Sequence, residues 1–201
     1  MLIYSLFSNP TFFCTIIVII AVSISLHELG HGIAAISQGD KTPVHTGHMT
    51  LNPVVHLGVP SLVFLCLTGM AWGQMPVNPR NFRDPKWSNV IVSAAGPFTN
   101  FVLGFIGILV IKSLVSLSFN NYGVIEFFSY VAYLNFALGM FNLCPLPPLD
   151  GFHIASEFFP EMKPFANSQV GLALFMILFV SGAGRVFFDL AEMLTAFLIG
   201  I

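Results

Sequence analysis

The sequence predicts an all-α polytopic membrane protein with about four transmembrane helices, a re-entrant or short helix and a small β-hairpin. Three observations predict it. Of the 201 residues 56% are hydrophobic and 8% are charged, whereas a soluble domain carries about a quarter charged residues. The mean hydropathy is +0.85. Several apolar stretches reach the roughly 20 residues needed to cross a bilayer. No stretch is long and polar enough for a soluble appendage, so residues 1–201 read as one domain with its motifs within 25–151.

The first apolar run, Thr11–Ala35, is helix-length and holds His27, Glu28 and His31 in its second half. No Lys or Arg precedes Lys41, so it lacks the positive start of a signal peptide. Asp40 and Lys41 open a polar segment to Gly58. Within it Val44–Leu51 partly alternates polar and apolar residues around Gly47, which suits a hairpin. Val59–Trp72 is apolar but short for a span and reads as re-entrant. Met75–Trp87 carries three prolines and three basic residues and reads as a loop.

Val90–Leu117 is a long span, Asn120–Gly123 a turn, and Val124–Leu143 the return. Pro145, Pro147 and Pro148 stop that helix, since proline lacks a backbone donor and clashes with the preceding turn. The last run, Val170–Ile201, is interrupted by Gly182, Gly184 and Arg185. It reads as one kinked span or as a span plus an interfacial helix. Cys14, Cys66 and Cys144 lie in apolar runs without CxxC spacing and read as small buried hydrophobes. The net charge of -2, with no basic stripe, gives no indication of nucleic-acid binding.

Charge asymmetry orients the chain. With Val59–Trp72 re-entrant, Lys41, Arg80, Arg83, Lys86 and Lys163 share one side, and Lys112 lies near the other. The basic side is then cytoplasmic and the N-terminus outside the cell membrane. The first helix and Val124–Leu143 both run inward. They bring His27, His31 and Asp150 to a similar depth, toward the cytoplasmic side.

His27 and His31 are four residues apart, so on a helix both imidazoles leave one face and can share a metal ion. Glu28 is turned from them by about 100°, within reach of a water on that metal without having to ligate it. This is the HExxH arrangement of a zinc hydrolase with Glu28 as general base. A chance match with hydrogen-bonded histidines would have to place three ionisable groups in one apolar helix, where each is costly. The third ligand comes from elsewhere, because Ala34 and Ser37 break the extended HExxHxxGxxH pattern. Among the other acids Asp150 lies at the proline-defined helix end, followed by Gly151. It is the candidate ligand, with a simple Asp-Gly turn as its rival.

HELGH (His27–His31), AAGPFTN (Ala94–Asn100) and NLCPLPPLDG (Asn142–Gly151), in that order, resemble the site-2 protease family of intramembrane zinc metalloproteases. LNPVVH (Leu51–His56) and VNPRNFRDP (Val77–Pro85) resemble its short prokaryotic branch, which lacks an appended substrate-selecting domain. The resemblance implies one Zn²⁺ per chain held by His27, His31 and Asp150, with Glu28 as the base. It also implies transmembrane proteins or peptides as substrates, in contact with the bilayer. Asn142 becomes a candidate for oxyanion stabilisation or substrate orientation, with capping of helix-end carbonyls as its alternative. Asn100 and Gly96 are expected to support helix packing or the substrate path.

Short relatives continue the LNPxxH element with Asp-Pro, where Leu57-Gly58 follows His56 here, so the pocket wall departs from the pattern. His56 and His153 could reach the site but read as satisfied or interfacial, and His45 and His48 as hairpin or loop residues. Pro43–Leu51 would offer a strand edge to an extended substrate. Rival readings are a membrane zinc transporter or metal-binding protein using the same ligands, and a catalytically inactive membrane chaperone.

Overall fold

The computed structural model describes residues 2–119, 121–166 and 168–200. Asn120 of the expected turn and Ile201 of the expected last run lie outside them. After a short helix α1 (Ile3–Ser8) come α2 (Pro10–Ser37), α3 (Thr42–His45), α4 (Pro53–Thr68), α5 (Pro85–Ser116) and α6 (Tyr122–Asn142). The chain continues through α7 (Asp150–Phe158), α8 (Gln169–Val180) and α9 (Arg185–Ile199). Single 3₁₀ stretches cover Pro79–Asn81 and Pro160–Phe165.

Local chemistry sets the starts of the long helices. The Asn9 side chain accepts from Phe12 N and Pro10 occupies the first turn of α2. Asp84 accepts from Lys86 N and Trp87 N ahead of Pro85 in α5. These are N-caps followed by a proline whose missing N–H has no intrahelical partner to lose.

Among the described residues three helices, α2, α5 and α6, with 28, 32 and 21 residues, are long and apolar enough to cross a membrane. The expected four therefore become three by length and composition. Val59–Trp72 belongs largely to the 16-residue α4. Its helix is broken at Gly58 (φ 68, ψ 163) and contains Pro60. That backbone conformation is open to glycine at no steric cost. The last run divides into α8 and α9 around Gly182.

The hairpin is also corrected. Among the described residues there is no strand. Val44 lies in α3, and His48 N returns to Pro43 O at 3.0 Å across Gly47 (φ 73). A local helical turn closes where alternation suggested two paired strands. Pro43 at the start of α3 favours the turn, and a four-residue helix is too short to impose its own periodicity on the pattern.

The core forms where α2, α4 and α6 meet, through Ile16, Ile19, Ile20 and Ile24 with Leu57, Leu65 and Leu134. A second cluster joins α5, α6 and α9 through Ile108, Ala132, Phe136 and Ala191. On the outer faces Val18, Val22, Phe98 and Leu109 stand exposed, in the manner of a lipid-facing surface. The cysteines follow that inversion. Cys14 is exposed and Cys66 and Cys144 are half-buried, all of them free thiols, so they are not the core residues expected.

The ends of α2 and α5 are tied by Arg83 N donating to Gln38 O and by Ser88 Oγ donating to Gln38 Oε1. Asp40, fully buried, anchors the crossing between them. It accepts from Asn78 N at 2.7 Å, Asn81 Nδ2 at 2.8 Å, and Thr42 N and Oγ1. Burial alone would raise its pKa, but these donors outweigh burial and hold the carboxyl below its usual range. The resulting stability is present above the unfolded pKa of about 4 and is lost as pH falls through the lower folded value. Asp40→Asn should therefore cost about 2 kcal/mol at neutral pH, the scale of hydrogen bonds to a charged group. Thermal unfolding in detergent should show the gap to the wild type closing as the pH is lowered below 4.

Candidate metal centre

Helix α2 carries His27 and His31 one turn apart, as their spacing requires, with ring centroids 4.7 Å apart. Both Nε2 atoms point to the same spot and are 3.0 Å from each other. His27 Nδ1 lies 2.6 Å from Asn100 Oδ1, and His31 Nδ1 lies 2.7 Å from the carbonyl oxygen of Val92. An amide or peptide oxygen only accepts, so each Nδ1 carries the hydrogen and donates it. Each neutral ring then presents a lone pair at Nε2.

Two converging lone pairs can share a cation, and Asp150 lies beside them. Its Oδ2 is 3.1 Å from His27 Nε2 and its Oδ1 3.4 Å from His31 Nε2. Asp150 Oδ2 is also buried without a hydrogen-bond partner. The three ligand atoms lie within 4.8 Å of one another, a group that could hold a metal ion. Two imidazoles and one carboxylate suit Zn²⁺ and leave a fourth position for water or substrate.

Three helices converge here. Asp150 begins α7 just beyond α6. A side chain on Gly151 would strike the carbonyl oxygen of Leu143, so glycine permits the close turn that presents Asp150. Gly96 of α5 faces both Nε2 atoms so closely that a Cβ would occupy their space. The absent side chain leaves room for an ion.

A polar chain orients the His27 ring from behind. Asn100 Nδ2 donates to Asn135 Oδ1 at 3.0 Å. Asn135 Nδ2 donates to Ser23 Oγ and Val131 O, both at 2.9 Å. Ser23 lies one turn before His27, so the chain leaves α2, crosses α6 and α5, and returns to α2. Each donor finds an acceptor only if Asn100 turns its oxygen toward His27. Asn100, Asn135 and Ser23 are all buried.

Sequence reasoning placed Asn100 and Gly96 in helix packing or the substrate path. The structure puts Asn100 on His27 and Gly96 against both rings. The AAGPFTN motif held the signal, but nothing in it says which way the amide faces. Asn135, Ser23 and the Val92 carbonyl had no sequence signal.

Glu28 is buried beside the pair, with the backbone of Gly73 against its carboxylate. Asn142, the last residue of α6, donates through Nδ2 to Leu138 O at 3.0 Å, a helix-end contact. His56 is buried, and its Nε2–H donates to Thr50 O at 2.7 Å. His153 is exposed, with its ring against Phe152. His45, at the end of α3, is exposed, and His48, in the turn that replaces the hairpin, is half-buried.

Asn100→Ala should lower zinc affinity by about 10- to 100-fold, the usual effect of losing a partner that orients a ligand histidine. Titration against a chelator of known affinity measures it. Gly96→Ala should lower zinc occupancy further, because its methyl group enters the ligand space.

The sequence profile of peptidase family M50 matches residues 15–119 and 111–183. The chain is 35% identical over 178 residues to YwhC of Bacillus subtilis (strain 168), spanning 84% of this chain and 81% of that protein. It is 31% identical over 185 residues to Rip2 of Mycolicibacterium smegmatis, at 84% and 68% coverage. It is 27% identical over 182 residues to MJ0392 of Methanocaldococcus jannaschii, at 87% and 45%. All three carry zinc metalloprotease names. No solved structure matches the chain. With two converging histidines, an aspartate from a distant helix and these matches, the chain belongs to peptidase family M50, the site-2 protease family its motifs resemble.

Proposed function

We propose that the chain is an intramembrane zinc metalloendopeptidase that hydrolyses peptide bonds within or near the transmembrane segments of other membrane proteins. The observation that carries this reading is the pair of Nε2 lone pairs converging with Asp150 beside a buried glutamate. His27, His31 and Asp150 hold the metal. Zinc supplies a Lewis acid that lowers the pKa of water to about 7 and polarises the scissile carbonyl. The Glu28 carboxylate takes the proton from the attacking water and returns it to the leaving nitrogen, which must be protonated to depart as an amine. Asn142 is the remaining candidate for orienting substrate near the end of α6.

The helices α2, α5 and α6 cross the cell membrane, and the basic end of the bundle faces the cytoplasm with the active site toward it. A substrate helix has to unwind before its amide can be attacked. The non-helical stretch 69–78 supports capture of an extended chain next to Glu28, in place of the strand edge expected at Pro43–Leu51. Its N–H groups alternate: those of Met70, Trp72 and Gln74 bond to Thr68, Ser61 and His56. Gly73 and Met75 face α2 at Glu28 and Gly32.

A zinc transporter would have no need of a carboxylate poised at the metal that does not bind it. Glu28 therefore favours hydrolysis over transit. The deciding experiment compares wild type, Glu28→Gln and Asp150→Ala in liposomes, reading bound zinc and cleavage of transmembrane peptides. Glu28→Gln should keep zinc and lose cleavage by at least about 100-fold. Asp150→Ala should lose zinc itself. Equal zinc in all three would remove Asp150 from the site, and unimpaired cleavage by Glu28→Gln would end the protease reading.

A further inference from the structure

We propose that His56 is a positioning residue that holds the wall of the active site against Glu28. It resides on the first turn and a half of α4, just before the break at Gly58, and is 1% exposed. Two hydrogen bonds leave it in different directions. The ring Nε2–H donates to Thr50 O at 2.7 Å, which ties down the turn carrying His48 and Met49. The His56 carbonyl accepts from Gln74 N at 2.9 Å, which ties down the stretch carrying Gly73 and Met75.

Both tethered pieces touch the catalytic helix on one face. Gly73 lies against the Glu28 carboxylate, and Met49 and Met75 close over Gly32 one turn later. The ring of His48 packs edge-on against His56, with centroids 6.3 Å apart. His48 and Met75, with Thr46, Gln74 and Pro76, line an open pocket beside this wall. One residue thus links the segment that meets Glu28 and the turn that covers Gly32 one turn later.

Ser61 secures the next part of the same stretch, accepting from Trp72 N at 2.9 Å and donating to Trp72 O at 2.7 Å. Gly73 is therefore held from both neighbours, by Ser61 through Trp72 and by His56 through Gln74. A carboxylate that moves a proton in the transition state is sensitive to its placement. Loosening the wall should lower kcat and leave KM and zinc binding in place.

The ring works through its Nε2–H donor. Its other nitrogen, Nδ1, is buried with no hydrogen-bond partner. A glutamine carries an amide donor near the position of Nε2, so His56→Gln can replace the bond to Thr50, whereas alanine and phenylalanine cannot.

The test uses the full chain in detergent with zinc bound, reading cleavage of a transmembrane peptide, zinc content and thermal stability. His56→Ala and the bulk-preserving His56→Phe should lower kcat by about 10- to 100-fold, the cost of misplacing a catalytic group. KM and zinc content should stay near wild type. His56→Gln should recover most of kcat. Gln74→Pro, which removes the N–H that His56 accepts and leaves the ring untouched, should lower kcat in the same way.

A second readout does not depend on cleavage. With Trp87→Phe, Trp72 is the single remaining tryptophan of the two in the sequence. Its quenching by acrylamide should rise in His56→Ala and return toward wild type in His56→Gln.

Full kcat in His56→Ala overturns the proposal, and so does an unmoved Trp72. If His56→Gln is as impaired as alanine while folded and zinc-loaded, the ring acts by itself and the tethering role fails. The effect on kcat rests on the protease reading. A wild type that binds zinc and cleaves nothing overturns that reading and the catalytic part of the proposal. The Trp72 response then decides separately whether His56 holds the wall.

Discussion

The two Nε2 atoms of His27 and His31, 3.0 Å apart with lone pairs facing, form the constraint around which the rest of the molecule is arranged. Left alone, they repel each other and the Asp150 carboxylate beside them. Both Nδ1–H groups donate to Asn100 and Val92, which turns the two Nε2 atoms toward each other and toward Asp150. The arrangement is built for a cation. The three groups that could hold a metal ion come from α2 and the start of α7, and their orientation comes from α5 and α6, so four helices must be in register before the site exists.

That requirement explains why so many polar groups lie inside an apolar bundle. Ser23, Asn100 and Asn135 are buried where each unpaired polar group would be expensive, and each has its partner among the others or on a helix carbonyl. Interhelical amide bonds also hold the bundle together where lipid offers no competing hydrophobic drive. Metal orientation and helix packing are here one network. The packing role expected for Asn100 was therefore incomplete rather than misplaced.

The opposite side of the site is built differently. Gly73 lies against Glu28, and Met49 and Met75 lie against Gly32, on irregular chain anchored to α4 by backbone hydrogen bonds and two side chains, Ser61 and His56. Here the sequence leaves the pattern of its short relatives at Leu57-Gly58. The break in α4 at Gly58 turns the chain directly after His56 and before Pro60.

Much of this was legible in the residues. Composition and apolar run length gave the membrane class. The i, i+4 spacing gave the shared face of His27 and His31, and the prolines after Asn142 marked Asp150 as the distant ligand candidate. Such features are local, or are set by chain length and period, and need no knowledge of neighbours. The hairpin at Val44–Leu51 failed because alternation over eight residues is also met by a helical turn closed at Gly47, and only packing chooses between them. The last run could not be divided from sequence because a glycine can kink a helix or end it. Which way the Asn100 amide turns, that Gly96 faces the two rings, and that Gly73 meets Glu28 were decided by tertiary structure alone. They depend on the rotation of one helix against another, which residue identity does not encode.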